Sequence, residues 1–298
     1  MILKPGILRV HKDVGETSFQ KVRPYLDARV TGPKRIPVCH GGTLDPFAEG
    51  LLLILLGPAT RLFEYLHAVP KTYEAEVVWG RETDTGDELG KTVHTGDASA
   101  LTPQILERAL QDFLGWREQV PPATSAKKIG GEPAYKKAHR GEVVELPPSQ
   151  VFLHEARWLS HALPHCSRLK LVCRGGYYVR SLARDLGQAL GAGAHLARLS
   201  RTVIGPWADV SADLEKWSGG PDLLPWLRSA PLTDQDVGAL RQGKPLKDLK
   251  TYPATWLLPS GFPSPEPLVQ AVHQGRLVAL LGASNNEFLV RVPLGAGI

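Results

Sequence analysis

The residues best placed to do chemistry lie in one glycine-rich run, residues 40–50, which reads HGGTLDPFAEG. Asp45 stands between two glycines that can adopt positive φ and Pro46, which keeps Asp45 itself out of the helical region. The apolar run 51–56 follows and is short enough to be a fully buried element. A carboxylate held rigidly beside the core suits catalysis, because positioning supplies a large part of its effect. An ordinary Gly/Asp/Pro turn is the alternative, since these residues form turns for purely local reasons.

Two other segments carry polar groups that could act with Asp45. Residues 72–79 alternate between apolar and polar types, which predicts a strand with one buried face that includes Tyr73. A predicted helix begins near Tyr178, so that Arg180 lies in its first turn. Considered alone, Tyr73 is also explained as a core-facing aromatic of the strand, which is compatible with a role beside Asp45. Arg180, considered alone, is better explained as a surface arginine at a helix start.

The remaining pattern predicts further helices and a small β-rich domain at the C-terminus. Ser18 is a candidate N-cap for a short helix whose apolar face would be Phe19, Val22 and Leu26. Thr102 and Pro103 begin a second helix, which is expected to end at Gly115. After about residue 230 the chain consists of short apolar runs between Pro and Gly, with two or three strands expected within 269–292.

The composition is that of an ordinary globular protein and excludes several classes. Hydrophobic residues make up 43% and charged residues 22% of the 298 positions, and no apolar stretch approaches the roughly 18 residues of a membrane span. The N-terminus lacks the pattern of a signal peptide, and three cysteines form neither a disulfide framework nor a zinc motif. A cytoplasmic protein without a metal is therefore expected, and no glycine-rich nucleotide loop stands between a strand and a helix.

The net charge of +5 points to a polyanionic partner, because the cations are clustered. One basic segment contains Lys21, Arg23, Arg29, Lys34 and Arg35. The other lies within residues 119–148, a stretch interrupted by Pro and Gly that looks like an excursion from the core, and contains Lys127, Lys128, Lys136, Lys137 and Arg140. Either segment alone fits a solvated face, whereas two in one chain favour binding to a phosphate backbone.

A series of short motifs resembles the TruB family of bacterial tRNA pseudouridine synthases. The run at 40–50 is similar to the family's H-x-G-T-L-D-P-x-A-x-G. Five more motifs follow in the family's order, at residues 57–61 (GPATR), 71–73 (KTY), 80–87 (GRETDTGD), 178–187 (YVRSLARDLG) and 194–202 (AHLARLSRT). Their combined order and spacing are specific, and they extend over nearly the whole chain.

The resemblance implies an enzyme that isomerises uridine to pseudouridine at position 55 in the T-arm of tRNA. It makes Asp45 the nucleophile, which attacks either C6 of the uracil or C1′ of the ribose. Arg180 would keep that carboxylate ionised and aligned. Tyr73 would pack on the target base and take the proton from C5. No cofactor is implied, because the reaction has no redox step and loses no group.

The resemblance also assigns substrate contacts. Tyr178 and Leu199 would line the uridine pocket, and His40 would fill the space left by the nucleotide that is flipped out. Thr43 and Arg61 complete the expected substrate-binding residues. The five cations of the 119–148 stretch would contact the RNA.

The implied architecture is α+β with two domains. A pseudouridine synthase catalytic domain built around a mostly antiparallel sheet would occupy residues 1–230, with 119–148 as an insertion that closes on the T-arm. A small PUA-like RNA-binding domain, rich in β structure, would occupy residues 231–298. The expected partner is tRNA, bound by a monomer without a membrane or an obligatory protein partner.

Several positions depart from the family pattern, and two other functions remain open. Asp13 stands where the family commonly has Pro, and Thr124 stands where it has Tyr. The family's Ala-Arg-x-Gly is here Ala138-His139-Arg140-Gly141, so the arginine is replaced or shifted by one position. These departures concern RNA contacts rather than the chemistry. The alternatives are an RNA-binding folding chaperone that does not need Asp45, and a relative that modifies RNA only with a guide RNA and accessory proteins.

Overall fold

The computed structural model describes residues 3–27, 35–211 and 214–298 and contains two main β-sheets. Its strands are β1 (Gly6–Lys12), β2 (Val38–His40), β3 (Glu49–Leu56), β4 (Lys71–Trp79), β5 (Arg81–Thr83), β6 (Thr92–Thr95), β7 (Gly115–Gln119), β8 (Lys128–Ile129), β9 (Glu132–Pro133), β10 (Ser149–Ala162), β11 (Cys166–Cys173), β12 (Ala194–Ile204), β13 (Trp207–Ala208), β14 (Lys216–Ser218), β15 (Arg228–Pro231), β16 (Leu246–Lys247), β17 (Val269–His273), β18 (Arg276–Ser284) and β19 (Glu287–Pro293). Its α-helices are α1 (Ser18–Val22), α2 (Phe63–Ala68), α3 (Pro103–Gln111), α4 (Ala134–His139), α5 (Val179–Ala189) and α6 (Asp234–Arg241). Short 3₁₀ turns lie at Arg23–Tyr25, Gly57–Leu62 and Gly220–Leu223.

The larger sheet is mostly antiparallel and confirms the predicted α+β fold. Its strands follow the order β14-β1-β3-β12-β4-β11-β10-β7, with β2 paired to β3 and β13 paired to β12. Only the contact between β3 and β12 is parallel within the described part of this sheet. The alternation in β4 is as predicted, because Tyr73, Ala75, Val77 and Trp79 are buried and face the core.

The position of β12 brings distant parts of the sequence to one place. It lies between β3, which follows the Asp45 loop, and β4, which carries Tyr73. Arg201 on β12 pairs with Gly50 on one side and with Tyr73 on the other. A Cβ at Gly50 would lie 2.4 Å from the Arg201 carbonyl oxygen, so this close approach requires glycine. The strand order therefore decides which residues can form a site together.

The helices follow the sequence pattern with two differences at their ends. Thr102 caps α3 as predicted, but the helix ends at Gln111, and Gly115 begins β7 instead. Thr17, not Ser18, caps α1, and Phe19 is 59% exposed because a five-residue helix has room to bury only part of its apolar face. No helix of the described residues is long and apolar enough to cross a bilayer.

The C-terminal sheet has the order β15-β17-β18-β19-β16 and packs against the larger sheet. The three strands expected within 269–292 are present as β17, β18 and β19. Strand β15 spans the expected boundary at residue 230 and already belongs to this sheet. Leu277 and Leu280 on β18 share one buried cluster with Leu53 and Leu55 on β3. The two sheets are therefore joined by a common apolar layer.

The shared apolar layer predicts that the two sheets unfold together. Leu280 has no exposed surface, so Leu280→Ala should lower the free energy of unfolding by about 2–5 kcal/mol through the cavity it leaves. Far-UV circular dichroism and the fluorescence of the buried Trp226 should report one coincident transition at lower denaturant concentration. Leu289→Ala is the matched control, because Leu289 is 42% exposed on β19 and should change stability by less than about 0.5 kcal/mol. Two separate transitions would contradict a common layer.

Candidate active site

The loop that carries Asp45, residues 41–48, is held in place by the segment that follows β1. The hydroxyl of Ser18 accepts from the Leu44 amide at 2.8 Å and donates to the Leu44 carbonyl at 3.0 Å. The Gly15 amide donates to the Pro46 carbonyl at 2.7 Å. Gly42 has φ of 136°, a value that favours glycine, so one of the two expected glycine conformations is used. The loop is thus tied down on both sides of Asp45.

Two buried cations support the same loop, and sequence reasoning selected neither of them. Lys12 has no exposed surface and donates to the carbonyls of Ala48 at 2.6 Å and Glu16 at 2.8 Å. Arg201 is 1% exposed and donates to the carbonyls of Leu51, Thr43 and Gly42 at 2.8, 3.3 and 3.2 Å. Burial lowers the pKa of Lys12 to about 8. No sequence signal singled them out, because β1 also contains Arg9 and His11, and β12 also contains Arg198 and Ser200.

Asp45 and Arg180, which are 135 positions apart in sequence, form a close ion pair. The Arg180 Nη2 donates to Asp45 Oδ1 at 3.0 Å, and Nε lies 2.9 Å from Asp45 Oδ2. The Arg180 side chain is 4% exposed, whereas that of Asp45 is 29% exposed. The guanidinium is therefore enclosed in protein, while the carboxylate keeps an open side towards the cavity.

The remaining hydrogens of Arg180 are directed at two other segments. Nη1 donates to the carbonyl of Thr85 and to the hydroxyl of Thr124, both at 2.7 Å. Asp87 Oδ2 lies 3.5 Å from Nη1, and Asp87 is itself held by the Thr85 hydroxyl at 2.7 Å. The 80–87 motif thus supplies a second carboxylate to the guanidinium, on the side of Nη1.

The electrostatic environment of Asp45 contains opposing influences. Burial raises the pKa of Asp45 above its ordinary value of 3.8. The positive charge of Arg180 opposes this rise, the negative charge of Asp87 adds to it, and Lys12 opposes it more weakly. Arg180 is the largest influence that favours the ionised carboxylate, as a nucleophile or base requires.

Tyr73 lies on the floor of the same cavity, beside Arg201. It is 8% exposed, and it lines the cavity together with Asp45 and Arg180. Burial raises the pKa of Tyr73, whereas the charge and hydrogen bonding of Arg201 favour its phenolate form. Tyr73 is therefore both a core-facing strand residue and a cavity residue.

A further basic group, Lys71 at the start of β4, also lines this cavity. The ammonium of Lys71 donates to the carbonyls of Leu66, His67 and Val69 at 3.2, 3.0 and 3.3 Å, so it ties the end of α2 to the sheet. Burial and the neighbouring Arg201 lower the pKa of Lys71 to about 7. Burial also raises the pKa of the adjacent Cys173 to about 12, so its thiol stays protonated at neutral pH.

The cavity collects most of the residues that the sequence predicted for substrate binding. Its walls include four of them, namely His40, Thr43, Tyr178 and Leu199. His67 and Phe63 line one end, with their rings stacked at 5.7 Å between centroids. Burial lowers the pKa of His40, so its imidazole is neutral at pH 7. The walls combine aromatic, aliphatic and amide surface around one carboxylate, which suits a flat, polar ring.

Arg61 and the basic segments lie elsewhere. Arg61 is exposed and hydrogen-bonds to the carbonyl of Pro293, so it joins the larger sheet to β19. Arg140 is held by Glu132 through contacts of 2.7 and 2.9 Å and by Glu142 at 2.6 Å. The other cations of the insertion lie outside the cavity, on the exposed hairpin β8–β9 or on α4.

The first basic segment is partly paired and partly outside the described residues. The ammonium of Lys21 lies 2.8 Å from a Glu16 carboxylate oxygen, and Arg35 lies 2.6 Å from Asp27. Arg29 and Lys34 are not among the described residues. Within residues 3–27, 35–211 and 214–298, no three His, Cys, Asp or Glu side chains are grouped as a metal ion would require.

Comparison of the sequence with known families and proteins gives consistent matches. A family described as TruB family pseudouridylate synthase (N terminal domain) matches residues 29–179. A tRNA pseudouridine synthase B of Xanthomonas campestris is 42% identical over 205 residues, which cover 68% of this chain and 64% of that protein. A protein of the same name from Rhodospirillum rubrum is 35% identical over 292 residues, which cover 92% of this chain and 91% of its own length. The chain thus spans under two thirds of the Xanthomonas protein that it matches.

Solved structures with a similar fold are chains of multi-component complexes. A chain of a Cbf5-Nop10-Gar1 complex superposes with a TM-score of 0.64 at 20% identity and covers 97% of this chain and 84% of its own length. A chain of the archaeal box H/ACA sRNP Nop10-Cbf5 complex gives a TM-score of 0.60 at 19% identity, with coverages of 97% and 86%. At these identities the likeness concerns the fold alone.

The paired carboxylates around Arg180 predict a measurable coupling. Because the charge of Asp87 raises the pKa of Asp45, Asp87→Asn should lower the pH at which Asp45 titrates. The titration is followed by ¹³C NMR of the labelled carboxyl group. Asp84→Asn is the control, because Asp84 lies exposed in the same turn and accepts from the Lys91 amide through an oxygen that asparagine retains. An unchanged Asp45 titration in Asp87→Asn would contradict the coupling.

Proposed function

The chain belongs to the TruB family of pseudouridylate synthases, and we infer from this that it isomerises uridine to pseudouridine in tRNA, at position 55 of the T-arm. The observation that carries the proposal is the Asp45–Arg180 ion pair at a cavity that also contains Tyr73. The motifs at 40–50, 71–73, 80–87, 178–187 and 194–202 are far apart in sequence, yet residues of each lie at this cavity or its ion pair. The 57–61 motif is the exception, because Arg61 contacts Pro293 instead.

Asp45 is proposed to start the reaction as the nucleophile. Attack on C1′ of the ribose displaces N1 and so breaks the N1–C1′ bond directly. Attack on C6 of the uracil instead adds the carboxylate to the C5–C6 double bond, and the N1–C1′ bond breaks in the following step. The base then turns, and a C5–C1′ bond forms. The C5 proton leaves, N1 gains a proton, and Asp45 is released unchanged. The atoms balance within the uridine, so this route needs no electron donor or transferred group.

Arg180 and Tyr73 are proposed to assist at two different steps. Arg180 keeps Asp45 charged and aligned, because its guanidinium contacts both carboxylate oxygens. Tyr73 stacks on the base and accepts the C5 proton. Burial works against a phenolate at Tyr73, and Arg201 is the neighbouring cation that favours it.

Substrate binding is proposed to require flipping of the uridine out of the folded arm. Tyr178 and Leu199 enclose the flipped base, with Thr43 beside it on the Asp45 loop. His40 stands at the start of that loop, and its neutral ring is suited to stacking in the space that the nucleotide leaves. Flipping costs a few kcal/mol, which contacts with the rest of the arm must offset.

Those outer contacts are proposed to come from the insertion at 119–148 and from the C-terminal PUA-like domain. Lys127, Lys128, Lys136 and Lys137 supply phosphate contacts, whereas Arg140 is already engaged by Glu132 and Glu142. Arg61 contributes indirectly by fixing β19 to the catalytic part. The proposal also includes a division between two domains near residue 230 and a monomeric state. It includes a cytoplasmic location, because tRNA is the proposed substrate.

A second candidate function is an enzyme that needs a guide RNA and partners, because the similar solved chains belong to complexes whose names include other proteins. We propose instead a stand-alone enzyme, since the near-full-length relative from Rhodospirillum rubrum carries the name tRNA pseudouridine synthase B. An RNA-folding chaperone is the other alternative, and its activity would not depend on Asp45.

The role of Asp45 predicts the outcome of a tritium-release assay on a short T-arm stem-loop labelled at uridine C5, without any added protein. Wild type should release tritium, and Asp45→Asn should reduce turnover by about 1,000-fold or more while it retains RNA binding. Asp112→Asn, an exposed carboxylate after α3, should leave turnover unchanged. Turnover that survives in Asp45→Asn would exclude the nucleophile assignment, and no release by wild type would favour a partner-dependent enzyme.

The basic insertion predicts a change in the salt dependence of RNA binding. The double variant Lys127→Ala/Lys128→Ala should weaken binding and reduce the slope of log K against log salt by about 1 to 2, because phosphate contacts are lost. Arg140→Ala is the matched control and should change the slope by less than about 0.5, since its charge is already paired within the insertion. Equal slopes for wild type and the double variant would assign both lysines to a solvated face.

A further inference from the structure

One acceptor of the Arg180 guanidinium belongs to the insertion rather than to the site's own loop and turn. Thr124 lies at the base of the insertion, and its hydroxyl accepts from Arg180 Nη1 at 2.7 Å. The Thr124 carbonyl lies 3.4 Å from Nη2. Since Nη1 has two hydrogens and the other goes to the Thr85 carbonyl, Thr124 completes the hydrogen bonding of this nitrogen.

The position of Thr124 is fixed by contacts between the insertion and the first turns of α5. The Gln119 side chain bridges the Tyr178 backbone, accepting from its amide at 2.9 Å and donating to its carbonyl at 3.0 Å. The carbonyl of Val120 accepts from the Ser181 hydroxyl at 2.8 Å and from Arg184 at 3.1 Å. The base of the insertion is therefore fastened to the helix that carries Arg180.

Without the Thr124 hydroxyl, a buried guanidinium hydrogen would lose its acceptor. Arg180 is 3% exposed, so water is a poor replacement. The carboxylate of Asp87 is 3.5 Å from the same Nη1 and competes with Asp45 for this cation. A shift of the guanidinium towards Asp87 would loosen its contacts with Asp45.

We propose that Thr124 is a positioning residue, whose hydroxyl holds the Arg180 guanidinium against Asp45 and thereby links the base of the insertion to the reacting carboxylate. This inference rests on the proposed isomerase function. The short side chain at this position, where the family commonly has tyrosine, puts a hydroxyl within reach of Arg180. Thr124, which departs from the family pattern, thus contacts the ion pair itself.

The charged and titratable groups around the pair determine what a pH profile can report. Asp45 faces Arg180 from α5, Tyr178 from the residue before α5, Lys12 from β1, Asp87 from the 80–87 turn and Tyr73 from β4. Of these, Arg180 is the strongest influence that favours ionised Asp45. A guanidinium drawn away from Asp45 should therefore move the acid limb of kcat to higher pH, because the carboxylate would then ionise less readily.

The test compares Thr124→Val, Thr124→Ala and Thr124→Ser by pseudouridine formation on the T-arm stem-loop. Valine keeps the shape and removes the hydroxyl, so kcat should fall by about 10-fold or more while KM changes by less than about 2-fold. The acid limb of kcat should move to higher pH in Thr124→Val and Thr124→Ala. Thr124→Ser keeps the hydroxyl, so its kcat and the pH of its acid limb should equal those of wild type.

The matched control is Thr251→Val. The Thr251 hydroxyl accepts from Arg228 Nη2 at 2.7 Å, so this variant deletes the same kind of contact in the C-terminal part of the chain. Its kcat and acid limb should equal those of wild type. Thermal unfolding of every variant checks that the protein is folded, and Thr124→Ala supplies the same comparison where Thr124→Val is unstable.

Wild-type kcat and acid limb in folded Thr124→Val or Thr124→Ala would overturn the inference. So would a loss in Thr124→Ser as large as that in Thr124→Ala, because the hydroxyl would then be irrelevant. Failure of the proposed function is distinct, since wild type itself would then form no pseudouridine on the stem-loop.

Discussion

The arrangement of this site depends on the burial of one guanidinium. A charged group taken out of water is stable only when its hydrogens are matched by acceptors and its charge by a counter-ion. Arg180 meets this requirement at Nη1 and Nη2 through Asp45, the Thr85 carbonyl and Thr124, which come from three separate segments. Its Nε lies 2.9 Å from Asp45 Oδ2 but is not aligned for a hydrogen bond. The same requirement that stabilises the arginine therefore fixes the loop, the turn and the insertion relative to one another. The partly open carboxylate of Asp45 is the product of this arrangement.

A second set of buried cations supports the backbone rather than the carboxylate. Lys12, Lys71 and Arg201 direct their hydrogens mainly at backbone carbonyl oxygens beside the cavity, in the Asp45 loop, at the end of α2 and in the first half of β3. These bonds give buried carbonyl groups the donors that they require. Burial lowers the pKa of Lys12 and Lys71, whereas an arginine keeps its charge. Arg201 is the positively charged side chain beside Tyr73.

The outer parts of the molecule divide into a rigid support and a basic surface. The C-terminal sheet shares its apolar layer with the larger sheet, and Arg61 adds a polar contact at the same junction. The insertion is fastened at its base, while Lys128 and Lys136 are exposed and Lys127 and Lys137 are half-buried. Formal charge overstates the basic character of this surface, because Glu132 and Glu142 hold Arg140 and Glu16 holds Lys21. Pairing, more than the number of cations, decides which of them are available to phosphate.

The sequence by itself determined the α+β class, the strand at Tyr73, the helix start before Arg180 and the rigid loop around Asp45, because these follow from local periodicity, turn residues and motifs. It also led to the family through motif order. It did not determine the roles of Lys12 and Arg201, the partner of Arg61, the pairing of Arg140 or the contact of Thr124 with Arg180. The contacts of Arg201, Arg61 and Thr124 join residues that are 150, 232 and 56 positions apart, and Lys12 reaches Ala48 across 36 positions. Arg140 pairs with Glu132, only eight positions away, but the fold of the insertion decides that these two side chains meet. Burial and hydrogen bonding are properties of that three-dimensional arrangement, so only the tertiary structure decided which charges are enclosed and which are free.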